Sequence, residues 1–247
     1  MVVFCLYMGC LRLRLCGSLL SVDGGVDGFL VSSSIDVDGI VDGDVCIPYM
    51  LVSSFVGSLG GDCELRFLIE GNVCRVFHSY GDMSFAVFPY ADYLVNDGSF
   101  DVGSSFSVVN FGLALDSVSF AVSSDSLRGA LSSLHFKSLG GGVCDVVGSD
   151  SHTMSKYTMG VDDVIGLDTF SFSLPYYVLG YLRNLVGGSS VVRFELGTEY
   201  VRLFVDSSFS IVIRLFSGVY PNYGVLLIYG CLRLRLRGNL LSIAGNG

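Results

Sequence analysis

The stretch GCLRLRLCGSLLSVDGG, residues 9–25, decides the fold because a near-copy of it, GCLRLRLRGNLLSIAGNG, occupies residues 230–247. In each copy leucines alternate with polar residues up to a glycine, and a second apolar run follows. That pattern is typical of two short strands joined by a tight turn. A looser third copy, SSLHFKSLGGGVCDVVGSD, covers residues 132–150. A recurring hairpin predicts a chain built from repeated modules.

A second repeated element is a helix that begins at a proline. The two copies are CIPYMLVSSFVGSLGG at 46–61 and SLPYYVLGYLRNLVGG at 173–188. Proline suits the first turn of a helix, and a glycine pair suits its end. The apolar residues spaced to form the buried faces are Leu51, Phe55 and Leu59 in the first helix and Val178, Leu182 and Leu185 in the second.

The order of elements after each helix also repeats. A pair of predicted strands follows, at 64–79 and 191–205, and leads to an aromatic residue and a proline. The intervals between the prolines, Pro48 to Pro89 and Pro175 to Pro221, are 41 and 46 residues. A further amphipathic helix, within 109–127, is predicted only ahead of the hairpin at 132–150.

These repeats predict an α+β fold of tandem domains. The predicted boundaries are 1–103 for a first domain that lacks its first helix, 104–228 for a complete second domain, and 229–247 for the opening hairpin of a third.

The composition favours a globular chain rich in strands. Of the 247 residues, 51% are apolar and 15% are charged, so a large core is available. The formal charge is −9, and the only lysines are Lys137 and Lys156. This balance argues against a protein that coats phosphates with basic side chains, but it is compatible with one that holds DNA by topology.

The cysteines and the first residues bear on the cellular compartment. The eight cysteines are Cys5, Cys10, Cys16, Cys46, Cys63, Cys74, Cys144 and Cys231. None forms a CxxC pair, so we predict reduced thiols, with a disulfide framework as the alternative. The start, MVVFCLYMGCLRLRLC, lacks a basic residue before its apolar part and is a poor signal peptide. No apolar run reaches the roughly 20 residues that cross a bilayer, which predicts a cytoplasmic protein without membrane contact.

Together these modules resemble the domains of the bacterial DNA polymerase III β subunit, the sliding clamp. The densest resemblance covers 105–228 and is carried by LDSVSFAVSSDSLRGALSSLHF (115–136), VVGSDSHTM (146–154) and LFSGVYPNYGVLL (215–227). Residues 9–103 resemble the preceding clamp domain less closely. The resemblance implies domains in which two inner helices pack on curved antiparallel sheets. It also implies a ring whose helices line a channel around duplex DNA, and a cleft in which partners dock a short peptide.

The family's peptide cleft corresponds to ten residues of this sequence. They are Arg128, Leu131, Ser149, Ser151, His152, Thr153, Met154, Pro221, Val225 and Leu226. The resemblance implies that the apolar members form an anchor pocket, with Arg128 and His152 at its rim. Met154 replaces a leucine of the family, Ser151 a glycine and Thr153 an arginine.

The polar segment at 149–153 permits other interpretations. Asp150 is expected to turn the loop through its own backbone in any case, and His152 alone could be an ordinary surface residue. A Ser-His-Asp triad lacks a nucleophile elbow, and three adjacent residues cannot converge as a triad does. Metal binding lacks ligands, and the aspartates of 21–44 do not have the spacing of calcium loops. We therefore expect no catalytic residue, no metal and no cofactor.

The predicted function is that of a non-enzymatic processivity clamp. Its expected partners are duplex DNA, held without sequence preference, a DNA polymerase and a clamp loader, with a homo-oligomeric ring of two or three subunits. The residues expected to face DNA are Arg183, Tyr49, Tyr176 and Tyr177. Arg12, Arg14, Arg233 and Arg235 alternate on strands, and the sequence leaves open whether they face solvent, a subunit interface or DNA. The alternative is a peptide-binding module of the same fold that does not encircle DNA.

Overall fold

The computed structural model describes residues 9–26, 28–89, 100–166, 169–186, 191–224, 233–237 and 240–244. The helices are α1 (Tyr49–Ser58), α2 (Phe111–Val118) and α3 (Tyr176–Val186). The strands are β1 (Cys10–Cys16), β2 (Leu19–Val26), β3 (Phe29–Asp36), β4 (Gly43–Pro48), β5 (Arg66–Glu70), β6 (Val73–His78), β7 (Gly81–Ala86), β8 (Phe88–Pro89), β9 (Phe100–Val109), β10 (Ser133–Gly140), β11 (Val143–Ser149), β12 (Met154–Met159), β13 (Val164–Ile165), β14 (Ser171–Pro175), β15 (Val191–Gly197), β16 (Tyr200–Phe204), β17 (Phe209–Arg214), β18 (Arg233–Arg237) and β19 (Leu240–Ala244).

The second module, from β9 to β17, contains the same motif twice. One half runs β9-α2-β10-β11-β12 and the other runs β14-α3-β15-β16-β17, so each is a strand, a helix and three strands. The first strand of each half pairs antiparallel with the other half, β9 with β15 and β14 with β10. This exchange ties the two halves into one unit, and α2 and α3 bury their apolar faces in the shared core.

The first module, from β1 to β8, follows the same plan with one piece fewer. β4 pairs with β1 as β14 pairs with β10, and α1 follows β4 as α3 follows β14. The strands β5, β6 and β7 form a separate three-stranded sheet. Among the described residues this module has the helix α1 alone, in agreement with the predicted lack of a first helix.

The two modules join through strand pairing. β17 of the second module runs antiparallel to β3 of the first, with Ile211 opposite Val31. The result is one ten-stranded sheet in the order β13-β9-β15-β16-β17-β3-β2-β1-β4-β8. Such pairing removes two exposed sheet edges, which would otherwise attract other strands.

Each module has its own hydrophobic core. In the second, aromatic rings dominate: Phe106 stacks on Phe194 with centroids 5.0 Å apart, and Phe136 on Phe172 at 4.9 Å. In the first, the core is smaller and includes Phe55 and Phe85, whose rings meet edge to face at 6.1 Å. The modules therefore have separate centres of apolar burial, although Phe29 and Val31 of β3 belong to the second core.

All three predicted hairpins are confirmed as antiparallel strand pairs: β1 with β2, β10 with β11, and β18 with β19. The last pair belongs to a compact unit that comprises residues 218–247, whereas residues 1–217 form the other. None of the described helices is long and apolar enough to span a membrane.

Two details of the sequence prediction were wrong. Leu51, expected in the buried face of α1, is 49% exposed, and Val52 packs on the core in its place beside Phe55 and Leu59. The second error concerns the strand pairs at 64–79 and 191–205, each of which has a third strand, β7 or β17. β7 was missed because its first residues, Gly81 to Ser84, are largely polar and give no apolar alternation.

Arg12 on β1 is 9% exposed and forms a charge network across three strands. Its Nε and Nη2 donate to the two carboxylate oxygens of Asp44 on β4, at 2.9 and 2.7 Å. Its Nη1 lies 3.6 Å from Asp23 on β2. Arg14, two residues on, is exposed. The first arginine of the repeated stretch therefore forms structural ion pairs and is not a free surface charge.

The cysteines at 10, 16, 46, 63, 74 and 144 are free thiols, and Cys5 and Cys231 lie outside the described residues. Burial raises the pKa of Cys144 to about 12, so this thiol stays protonated at neutral pH.

Candidate peptide-binding cleft

The loop between β11 and β12 is organised by one carboxylate. Oδ1 of Asp150 accepts hydrogen bonds from the backbone N–H of His152 at 2.9 Å and from the backbone N–H and hydroxyl of Thr153 at 2.6 and 3.0 Å. These hydrogen bonds favour the charged form and lower the pKa of Asp150 to about 2. Asp150 thus turns the loop as the sequence predicted, by accepting hydrogen bonds from the backbone of the residues that follow it.

A strained serine lies at the centre of this loop. Ser151 has φ of 76°, in the left-handed region that costs a non-glycine residue about 1–2 kcal/mol. The hydroxyl of Ser149 donates to the carbonyl of Thr153 at 2.8 Å and accepts from the N–H of Ser151 at 3.2 Å. The resemblance places Ser151 where the family has glycine, a residue that adopts a positive φ without steric cost.

Arg128 connects this loop to the 3-10 segment at 126–132. Asp125 begins that segment by accepting the N–H of Leu127 at 3.0 Å. Nη1 of Arg128 donates to the carbonyl of Asp150 and, at 3.0 Å, to the hydroxyl of Ser151. Its side chain is 40% exposed, and a guanidinium has five N–H donors, so donors remain for a ligand.

The structure places the other predicted cleft residues as follows. Ser149 is buried, Leu131 and Met154 are half-buried, and His152 and Thr153 are exposed. Pro221 lies in the unit formed by residues 218–247, and Val225 and Leu226 lie outside the described residues. The structure therefore brings Arg128 together with the loop 149–153, through its hydrogen bonds to Asp150 and Ser151.

Two exposed apolar side chains in the segment between α2 and β10 were not identified from the sequence. Phe120 is 76% exposed and Leu127 is 93% exposed. Leu127 precedes Arg128 directly, whereas Phe120 follows α2 in the 3-10 turn Ser119–Ala121. The sequence signal at this place is the pattern Asp-Ser-Leu-Arg, in which Asp125 is a typical helix-capping residue.

The predicted DNA-facing residues lie on two different helices. α3 exposes Tyr176, Tyr177 and Arg183, whereas Tyr49 at the start of α1 is half-buried against the first core. Arg183 forms an ion pair with Asp116 of α2, with Nε and Oδ1 2.6 Å apart. It is the one basic residue of the three described helices, so their exposed faces carry almost no net positive charge.

Of the comparisons with known proteins, the one with solved structures identifies the fold. No protein-family profile and no curated protein matches the chain. Among solved structures, the DNA polymerase III subunit beta of Pseudomonas aeruginosa is similar with a TM-score of 0.79 at 20% identity, over 88% of this chain and 60% of that one. The sliding clamp of Caulobacter crescentus gives 0.80 at 18% identity, over 89% and 60%. The DNA polymerase III beta chain of Streptococcus pneumoniae gives 0.78 at 15%, over 88% and 59%.

The molecule is thus an α+β protein built from tandem modules of antiparallel sheets and inner helices. Its fold is that of the bacterial DNA polymerase III β sliding clamps, which confirms the resemblance read from the sequence. The chain spans about 60% of the length of those clamps.

Proposed function

We propose that this chain is a sliding clamp that encircles duplex DNA and tethers a DNA polymerase to it. The observation that supports this proposal best is the β17–β3 pairing, which joins two modules edge to edge in one continuous sheet. Repetition of such a junction is what closes a ring from modules of this kind. The proposed domains are 1–103, 104–228 and a third-domain hairpin at 229–247, in a ring of two or three subunits.

In this proposal DNA is held by enclosure. The helices that would face it offer tyrosine and serine hydroxyls, and their single arginine, Arg183, is paired with Asp116. Hydroxyls contact phosphates without reading base sequence, so binding has no sequence preference. Because few phosphates would be neutralised, retention on DNA depends only weakly on salt. The clamp performs no chemistry, and its gain is the high local concentration of the tethered polymerase.

The cleft around Arg128 is the proposed docking site for partner peptides. Leu131 and Met154 would receive apolar peptide side chains, and the guanidinium of Arg128 would bind a peptide carboxylate or carbonyl. A polymerase and a clamp loader are the partners that such a clamp requires.

Ring closure is tested with circular DNA. Subunits mixed with nicked circles at high protein concentration close around the DNA by mass action, without a loader. Protein should co-elute with circles in gel filtration and be released when a restriction enzyme linearises them. Equal retention on linear DNA with free, unblocked ends would contradict enclosure.

Peptide docking is tested by fluorescence anisotropy with a labelled hexapeptide that contains two leucines, a phenylalanine and an aspartate. Arg128→Ala should weaken binding about tenfold, because it removes a charge-assisted hydrogen bond worth about 1.5 kcal/mol. Arg75→Ala, an exposed arginine on β6, is the matched control and should leave the affinity unchanged. If the peptide binds both variants equally, the site lies elsewhere.

A further inference from the structure

The edge of the three-stranded sheet formed by β5 is exposed in an unusual way. All five residues of β5, RFLIE at 66–70, are exposed, and within the described residues β5 pairs with β6 alone. Its three central residues are apolar: Phe67, Leu68 and Ile69 are exposed at 39%, 42% and 41%. An edge strand of this kind presents unpaired backbone donors and acceptors together with apolar side chains, and it attracts another strand.

The second module shows what normally covers this position. Phe67 is opposite Val76 in the β5–β6 pair, and Phe194 is opposite Leu203 in the corresponding β15–β16 pair. Phe194 is fully buried, because β9 pairs with β15 on its outer side and Phe111 of α2 packs on its ring at 5.1 Å. Phe67 is 39% exposed, since the described part of the first module has no strand or helix in those places.

The outward face of β5 differs from its counterpart as well. When β5 is aligned on β15 with Phe67 at the position of Phe194, Leu68 stands where β15 has Glu195. Glu195 forms ion pairs with Arg193 and Arg202. Both faces of β5 therefore carry apolar groups, whereas β15 has a charged outward face. A solvated edge would favour the charged residue, so the sequence of β5 suits a covered strand.

From this edge we infer that β5 pairs antiparallel with β5 of a second copy of the chain. The sequence RFLIE is self-complementary in that arrangement about Leu68. Arg66 lies opposite Glu70 of the partner copy and Glu70 opposite its Arg66, Phe67 and Ile69 face each other across the dyad, and Leu68 meets its own equivalent. Two cross-strand ion pairs and a central apolar row result, and directly opposed residues of these types stabilise a strand pair.

This contact is closed by its two-fold symmetry. The two three-stranded sheets become one six-stranded sheet, β7-β6-β5-β5-β6-β7, in which the β5 edges are consumed and no further copy is recruited through them. The contact does not depend on enclosure of DNA. Charge distinguishes it from an alternative occupant, residues 1–8 of the same chain, because MVVFCLYM has no charged side chain.

Charge exchange on β5 tests the inference with the full-length chain. Sedimentation equilibrium over a dilution series should show dimers, and Arg66→Glu or Glu70→Arg should each raise the dissociation constant at least tenfold, because each places two pairs of like charges opposite one another. The double variant Arg66→Glu/Glu70→Arg restores opposite charges and should return the constant to within about threefold of the original. Arg75→Glu on β6 makes the same change of net charge one strand away from the contact and should have little effect.

Three outcomes would overturn the inference. The unmodified chain could remain monomeric at every concentration, which would be expected if residues 1–8 cover the edge. Association could be entirely unaffected by both single variants, which would assign all of it to another surface such as a ring interface. Finally, the double variant could fail to recover, which would mean that the partner strand is not a second β5. Circular dichroism of each variant separates loss of contact from loss of fold.

Discussion

Acidification should weaken this protein well above the pH at which carboxylates titrate, because of one buried histidine. His135 on β10 is 8% exposed, and its Nδ1 lies 2.9 Å from the hydroxyl of Ser173 on the paired strand β14. Burial, with a smaller contribution from the charge of Lys137, lowers the pKa of His135 from 6.5 to about 4. A hydrogen bond with the backbone of Phe172 opposes this shift only in part.

The sign and size of the effect follow from proton linkage. In the unfolded chain His135 binds a proton as the pH falls through 6.5, whereas in the folded chain it does so near its pKa of about 4. The stability is therefore complete above pH 6.5 and is lost progressively as the pH falls towards 4. At pH 4.5 the loss amounts to about 2.5 kcal/mol, from about 1.4 kcal/mol for each unit of difference in pKa. Asp150, with a pKa of about 2, does not titrate in this window.

Urea denaturation between pH 7 and 4.5, followed by circular dichroism, measures this loss directly. His135→Gln should flatten the pH dependence over that window, whatever it does to the stability at pH 7. His152→Gln, which changes an exposed histidine of the loop after β11, should leave the dependence intact. A wild-type free energy of unfolding that stays constant from pH 6.5 to 4.5, or a dependence that persists in His135→Gln, would refute the reasoning.

Five further substitutions test the packing and the backbone conformation. Arg12→Ala should cost about 3 kcal/mol in thermal or urea unfolding, because it removes the guanidinium that pairs with the partly buried carboxylates of Asp23 and Asp44. Exposed Arg14→Ala should change stability by less than about 0.5 kcal/mol. Gly148→Ala should destabilise by about 2 kcal/mol, since its Cβ would lie 2.6 Å from Val122 Cγ2, and Gly180→Ala in α3, with open space around it, should stabilise by about 1 kcal/mol. Ser151→Gly should relieve the left-handed strain and raise the melting temperature, by the equivalent of up to about 1 kcal/mol.

The repeated parts of the fold could be predicted from the sequence. The hairpins and the proline-started helices carry local signals, such as alternation, a glycine turn and a helix-starting proline, and they appear where those signals place them. The buried face of α3 was predicted correctly for Val178 and Leu182, because residues four apart lie on the same face of a helix. In α1 the prediction took Leu51 for the buried face, whereas the neighbouring apolar residue Val52 packs on the core.

Features that depend on contacts distant in sequence could not be read in this way. The β17–β3 pairing joins segments about 180 residues apart, and no local pattern specifies it. The burial of Arg12 needs Asp44 on another strand, and alternation alone gives Arg12 and Arg14 the same orientation. At the candidate cleft, Asp150 was predicted to turn the loop, but the bond from Arg128 to Ser151 depends on the meeting of two separate segments.

Enclosure of DNA is the claim on which the proposed function depends, and linearisation of a protein-loaded circle tests it most directly. Chain assembled on nicked circular DNA and freed of excess protein should stay bound through gel filtration, even at raised salt. After a single restriction cut, it should slide off and elute as free protein. Protein that remains on the DNA after the cut, or that never distinguishes circles from open linear duplex, would contradict the account.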